Sequence, residues 1–460
     1  MFSPTELAGF HVVITRHDGS EILVERSAHG VRLPVIAIPL HTRPAEELTS
    51  AIESRWNLKT YCLLTLPAEE PRSVRPTAVL ELSSACATIP EGFEWYAAVL
   101  RSLQEFDDSE SYSIIERALA ILNDGRSDKQ GPFGRTGWLE RVSEWTAAQA
   151  AAEGLRLNGK FRQLNASPMF SLIRFETDGP ALWFKAVGEP NLREYSITLE
   201  VNRRLSGFVP PLIASHSGWN AWLSVEVSGN PLRGASSLRD WQKAAKTLAH
   251  LQIASFGSAL HLIAAGCKDL RPSSLRPVVG PFFDYVTEVM PQQSKPTPPP
   301  LARKEIVALA DDVRSALDEL ESGDFPSVLG HLDLNPGNIL VSKDRCVFLD
   351  WAEAAVGHPL LTFQYLLEWK QRLEPNLKAE RMLRSTYMAP WRSFFRSQDI
   401  ALDFPVMPLL AAFAYAAGGL PWRDPDRRSR GRTVTFLRSL ARRMQHEAKL
   451  WNNRRHTCVL

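Results

Sequence analysis

Residues 331–354 read HLDLNPGNILVSKDRCVFLDWAEA, and the order of polar groups in this stretch sets the expected chemistry. Asp333 and Asn338 stand five apart where Pro336-Gly337 calls for a loop, and Asp350 ends the apolar strand CVFLD twelve residues after Asn338. Phosphoryl transfer relies mainly on positioning and charge stabilisation. It needs one carboxylate to orient an attacking hydroxyl and two oxygen ligands to hold magnesium against a triphosphate. A loop followed by a hairpin can supply all three. The plainer reading of the same residues is three polar groups capping loops.

The pattern His-x-Asp-x-x-x-x-Asn, then an apolar strand ending in Asp, is similar to the catalytic and metal loops of the kinase superfamily. With Pro336-Gly337 before the Asn, and Trp351 after the second Asp in place of Phe-Gly, it resembles the aminoglycoside phosphotransferase and choline-kinase-like family of small-molecule kinases. The resemblance spans about residues 138–420, with its specificity concentrated in 331–351. It implies an α+β, two-lobed protein-kinase-like phosphotransferase fold: a small antiparallel sheet plus helix, then a larger helical lobe. It also implies Asp333 as catalytic base, Asn338 and Asp350 as magnesium ligands, and ATP or GTP as the phosphate donor. His331 packs and hydrogen-bonds in such loops rather than moving protons. Gly357-His358-Pro359 keeps a Gly-Asp-Pro frame common in the family, but His358 and Thr362 stand where two acids are often found.

A kinase also needs a cation on the α- and β-phosphates, fixed by a carboxylate on the neighbouring helix. Lys185, in the strand ALWFKAV, has the right context. Glu194 is its expected partner, because Glu194-Tyr-Ser-Ile-Thr198 resembles the family's Glu-x-x-Leu-Thr helix; Glu200 is the alternative. The chain lacks a GxGxxG loop. The turn LNASPMF at 164–170 is the candidate phosphate cover, through Ser167 and backbone N–H groups, or else an ordinary hairpin turn. By analogy the adenine is expected near Glu226 to Gly229.

At 460 residues the chain is long enough for two or three domains. A Gly- and charge-rich segment, NDGRSDKQGPFGRTG, divides an N-terminal α/β domain (1–130) from a kinase-like N-lobe with a leading helix (138–230), a helical C-lobe (231–420) and a basic helical tail (421–460). A net charge of +2 supplies no global field for nucleic acid or membrane. Five singly spaced cysteines, and an N-terminus without a signal pattern, fit a cytoplasmic protein. The apolar stretch Val406 to Leu420, broken by Pro408, is expected to be a buried helix.

The N-terminal strands and the helix ending AEELTSAIESRWNL resemble the outline of a Nudix domain. Ser50, Ala51, Glu53, Ser54 and Arg55 replace its glutamate cluster, so no hydrolysis is expected there; the alternative is an unrelated docking or substrate-gating domain. The tail carries ten Arg and one Lys against three acids, an excess of +8. It reads as a solvated helix face with Arg438, Arg442 and Arg443 outward, or as a surface that steers an anionic partner. The expectation is a kinase acting on a small hydroxylated molecule; the alternative is a nucleotide-binding regulatory or scaffold protein. The absence of an Ala-Pro-Glu segment argues against a protein kinase. Glu353, Glu368 and Asp403 are acids near the motifs to which the sequence assigns no role.

Overall fold

The computed structural model describes residues 6–16, 19–40, 42–68, 75–83, 88–97, 105–123, 132–167, 169–233, 236–321, 323, 325–343, 345–395, 404–419, 422–424, 428 and 431–458. The chain forms two compact units, one of residues 1–195 and 211–226, the other of residues 196–210 and 227–460.

The first unit holds two sheets. One contains β1 (Leu7–Thr15), β2 (Glu21–Arg26), β3 (Val31–Arg32), β4 (Val35–Pro39), β5 (Thr60–Leu66), β6 (Thr77–Leu82) and β7 (Phe93–Ala97). Its main path is β3-β2-β1-β6-β5, with β4 beside β1 and β7 beside β2. Only β1 and β6 run parallel; the other pairs are antiparallel. Side chains alternate across a strand, so an apolar run such as Val12-Val13-Ile14 feeds two cores. Val12 and Ile14 pack with Leu48 and Ile52 of α1 (Pro44–Trp56), while Val13 joins Ile114, Ile115 and Ala118 of α2 (Ser109–Asn123). Pro44 opens α1 with a preset φ, and Asn57 closes it in the left-handed region at φ 54.

The second sheet follows α3 (Trp138–Ala152). It comprises β8 (Leu157–Ala166), β9 (Phe170–Thr177), β10 (Leu182–Val187), β11 (Leu212–His216) and β12 (Ala221–Val225), in the antiparallel order β11-β12-β10-β9-β8. Its inward residues Ile173, Phe175, Phe184 and Leu223 share one core with Val13, Leu63 and Val79 of the first sheet, with Trp138 between them. Residues before and after the Gly- and charge-rich segment thus share one core. Polar contacts seal the seam. The Gln163 carboxamide accepts from the Cys62 N–H at 2.7 Å and donates to the Cys62 carbonyl at 2.7 Å, replacing a strand along the edge of β5. Tyr61 and Ser171 hydroxyls meet at 3.0 Å, and the buried Glu81 carboxylate accepts from Gly137 N–H, the cap of α3, at 2.8 Å. Glu46 of α1, on the helix compared with the Nudix outline, pairs with Arg162 of β8.

α4 (Arg193–Leu205) runs from the first unit into the second, which is mainly helical. There α5 (Leu238–Ala254) starts in a capping box between Ser237 and Asp240. After it come α6 (Ala259–Ala264), α7 (Pro272–Leu275), α8 (Val279–Val289) and α9 (Arg303–Glu321), whose Ile306, Leu309, Val313, Ala316, Leu317 and Leu320 form one buried stripe. Two small sheets lie among the helices. One has the order β13 (Asn230–Pro231), β16 (Ile339–Val341), β17 (Cys346–Phe348); the other β14 (Lys268–Leu270), β18 (Ala354–Gly357), β15 (Val328–His331).

The chain continues through α10 (Pro359–Leu373), α11 (Leu377–Trp391), α12 (Met407–Ala414) and α13 (Gly431–Cys458). Every residue of α12 except Pro408 is buried, and no helix among the described residues is long and apolar enough to cross a membrane. The outward basic face expected on α13 is corrected. Arg438 is buried and donates to the Val289 carbonyl, Arg442 reaches Gln293, and Arg443 pairs with Glu368. These guanidinium groups meet acceptors on α8, on α10 and in the loop that follows α8.

Candidate active site

In the second unit the candidate residues are built on the small sheets. β15 delivers His331, and the loop after it carries Asp333; the β16–β17 hairpin then brings Asn338 and Asp350 together, because Leu349 N–H donates to the Asn338 carbonyl at 2.9 Å. Asp333 and Asp350 are exposed and Asn338 half-buried. The Asn338 amide nitrogen donates to the Asp333 carbonyl at 3.0 Å, which fixes its rotamer and leaves its side-chain oxygen for a cation. Asp350 is held at φ 63, ψ 70, a left-handed conformation unusual for a residue other than glycine. Strain of this kind concentrates at ligand clamps.

His331 clasps the two loops. Its Nδ1 accepts the Asp333 N–H at 3.1 Å, so Nε2 carries the proton and donates to the Leu349 carbonyl at 3.1 Å. Burial lowers its pKa, which keeps the ring neutral and suited to one donor and one acceptor role. Its own N–H is bonded by the Thr362 hydroxyl at 2.9 Å, and His358 caps α10 by accepting from Leu360 N–H. At the two positions where the resemblance implies acids, the Thr362 hydroxyl thus holds the His331 backbone and the His358 ring caps the following helix. From sequence Thr362 has no role beyond standing where an acid is often found, and the structure packs it tightly: a Cβ at Gly330 would lie 2.5 Å from the Thr362 hydroxyl.

In the first unit, Lys185 on β10 forms an ion pair with Glu194 at 2.5 Å, and Glu194 is buried. The Phe170 and Trp222 rings lie 5.5 and 5.7 Å from the ammonium. Glu200 is engaged on its own helix by Arg203 and Arg204, whose hydrogen bonds, Arg203 first, hold its carboxyl down at about 2. The Ser167 hydroxyl accepts from Met169 and Phe170 N–H groups, both at 3.2 Å, so its first work is to shape its own turn. Glu226, at the end of the first unit, is bridged by Arg174 at 2.6 and 2.7 Å and by the Trp183 indole at 3.1 Å.

Among the described residues no group of three or more His, Cys, Asp and Glu is poised to hold a metal ion. The Asn338 and Asp350 pair is a different donor set. It suits magnesium, which commonly takes one or two protein oxygens and completes its shell with phosphate oxygens and water.

Residues 195–393 match the model of the phosphotransferase enzyme family; Asp333, Asn338 and Asp350 lie inside the match, and Lys185 and Glu194 just before it. No curated protein matches the chain. Among solved structures it is similar to a macrolide 2'-phosphotransferase from Brachybacterium faecium, at 18% identity over 67% of this chain and 97% of that one, TM-score 0.42. A choline kinase from Cryptosporidium parvum is similar at 13% identity over 69% and 98%, TM-score 0.47. An ethanolamine kinase from Plasmodium vivax is similar at 14% identity over 75% and 95%, TM-score 0.45. By its family match, the chain carries a phosphotransferase-family domain over residues 195–393.

Proposed function

We propose that the protein transfers the γ-phosphate of ATP, or of GTP, to a hydroxyl of a small molecule. The observation that carries this reading is the clasped pair of loops, in which Asp333, Asn338 and Asp350 stand on segments tied together by hydrogen bonds of the His331 ring and the Asn338 amide with the backbone. The acceptor oxygen attacks the γ-phosphorus, the bond to the β-phosphate bridging oxygen breaks, and the hydroxyl proton passes to Asp333 while the diphosphate leaves. Asn338 and Asp350 would hold magnesium, which would supply positive charge to offset that of the phosphates. Lys185 meets the α- and β-phosphates, with Glu194 fixing its ammonium. His331 keeps the two loops in register without titrating near neutral pH.

The test is thermal melting with ATP, GTP and ADP, each with and without magnesium, on the wild type and Asp350→Ala. A ligand that binds only the folded state raises the melting temperature. A magnesium-dependent rise that the variant loses is expected. No rise with any nucleotide at millimolar concentration would overturn the proposal.

A further inference from the structure

Beside Asp333 the second unit holds an ion pair to which the phosphoryl-transfer roles above give no task. Glu353 ends the short turn that follows Asp350, and its carbonyl accepts the Leu332 N–H at 2.9 Å, so its backbone is clamped one residue from Asp333. Lys268 opens β14, which runs parallel to β18 with Lys268 opposite Ala355. This places its ammonium on the Glu353 carboxylate, with the two side chains 10% and 32% exposed. Tyr415 starts a π-helical turn, Tyr415–Gly419, a distortion frequent at functional sites. Burial raises the pKa of its hydroxyl, and the charges of Asp333 and Glu353 raise it further, the direction that negative charge in the neighbourhood gives. Gly419 supplies a second measure of this convergence. A Cβ there would lie 3.8 Å from Leu332, 3.8 Å from the Tyr415 ring and 3.9 Å from the Lys268 ammonium.

The charge balance of this corner limits what it can hold. A polyamine acceptor needs carboxylates not already neutralised, but Glu353 has Lys268, and Glu368, the next acid along α10, has Arg443. A third acid singled out from the sequence, Asp403, lies outside the described residues. An anionic acceptor would have to displace Glu353 from Lys268. A neutral polyol has neither conflict: the ammonium donates, the carboxylate accepts, and the phenol does either.

We propose that the acceptor is a neutral polyhydroxylated compound of sugar-like chemistry, bound by Lys268, Glu353 and Tyr415 beside Asp333, and that Lys268 excludes polycationic acceptors. The inference rests on the phosphotransferase reading above. With Glu353 already neutralised by Lys268, a polycation entering this partly desolvated corner meets an ammonium and no available carboxylate there, which makes the pair a specificity device.

The experiment combines turnover with a charge swap. Wild type, Lys268→Met, Lys268→Arg and Glu353→Gln are assayed for ADP production with magnesium and ATP. One acceptor panel is neutral (glucose, maltose, myo-inositol) and one cationic (kanamycin, spectinomycin); kanamycin affinity is measured in parallel by calorimetry in the presence of magnesium and ADP. The wild type is expected to prefer the neutral panel. Lys268→Met is expected to bind kanamycin at least about tenfold more tightly, Lys268→Arg to keep kanamycin excluded because it keeps the charge, and Glu353→Gln to gain no kanamycin binding. A wild type that phosphorylates or binds the cationic panel in preference overturns the inference. So does a Lys268→Met protein whose kanamycin affinity stays within twofold of wild type, whether or not any neutral compound is turned over. Nucleotide-dependent melting of each variant separates the two levels. If it is lost in the wild type, the phosphotransferase reading fails; if it is kept while the charge swap changes nothing, only the acceptor assignment fails.

Discussion

Gln163→Leu tests the claim that the N-terminal sheet and the Lys185-bearing sheet are one body. The wild-type carboxamide makes two 2.7 Å bonds, one to the N–H and one to the carbonyl of Cys62, and Gln163 is 2% exposed. Leucine keeps most of the volume but leaves both backbone groups buried without these partners. An unmet buried polar group costs roughly 1–3 kcal/mol, so the pair should cost about 2–6 kcal/mol. Against a stability of about 5–15 kcal/mol, that runs from roughly an eighth to the whole of it. The assay is urea unfolding followed both by tryptophan fluorescence and by binding of magnesium and ATP. Both signals should shift together to lower urea. A loss below about 0.5 kcal/mol would refute the reasoning, as would a split transition in which nucleotide binding keeps its wild-type midpoint.

Asp333→Ala should lower turnover by at least about a hundredfold while sparing nucleotide affinity, since general-base contributions are about 10²–10⁴; radiometric phosphate transfer and nucleotide titration give the two readings. Gly330→Ala places a methyl where only 2.5 Å separates its Cβ position from the Thr362 hydroxyl. The bond to His331 N–H should break, with a loss of about 1–3 kcal/mol in melting and of turnover. The pH dependence follows from His331. Its folded-state pKa lies below its ordinary value of 6.5 because burial disfavours the charged ring. The unfolded chain therefore binds more protons at acid pH, and the stabilisation is complete above about 6.5 and lost as pH falls from there toward the folded value. Urea midpoints measured between pH 8 and 5 should decline, and His331→Gln should flatten the decline.

What could be read from the sequence was local. The spacing of Asp333, Asn338 and Asp350, the strand around Lys185 and the limits of α1 and α3 all depend on residues within one hairpin or a few helical turns. The choice of Glu194 over Glu200 also had a local signal: Arg203 and Arg204 lie three and four residues after Glu200, the spacing at which helix side chains meet. The shared core of the first unit gave no such signal. It depends on single polar residues, Tyr61, Glu81 and Gln163, whose partners lie 110, 56 and 101 residues away. The arginines of α13 misled for the same reason. Their composition reads as a wetted face, yet Arg438 and Arg443 find their acceptors on α8 and α10, far back in the chain.

The reach of Gln163 also has a consequence for synthesis. Cys62 leaves the ribosome 101 residues before the side chain that completes its edge, an interval of roughly 5–20 s at about 5–20 residues per second. During that time β5 is the open border of a largely apolar sheet, the kind of edge that recruits other strands. The first half of this protein is thus exposed to mispairing for as long as translation takes to deliver one glutamine, and stalls between residues 66 and 163 should be where the nascent chain most needs a chaperone.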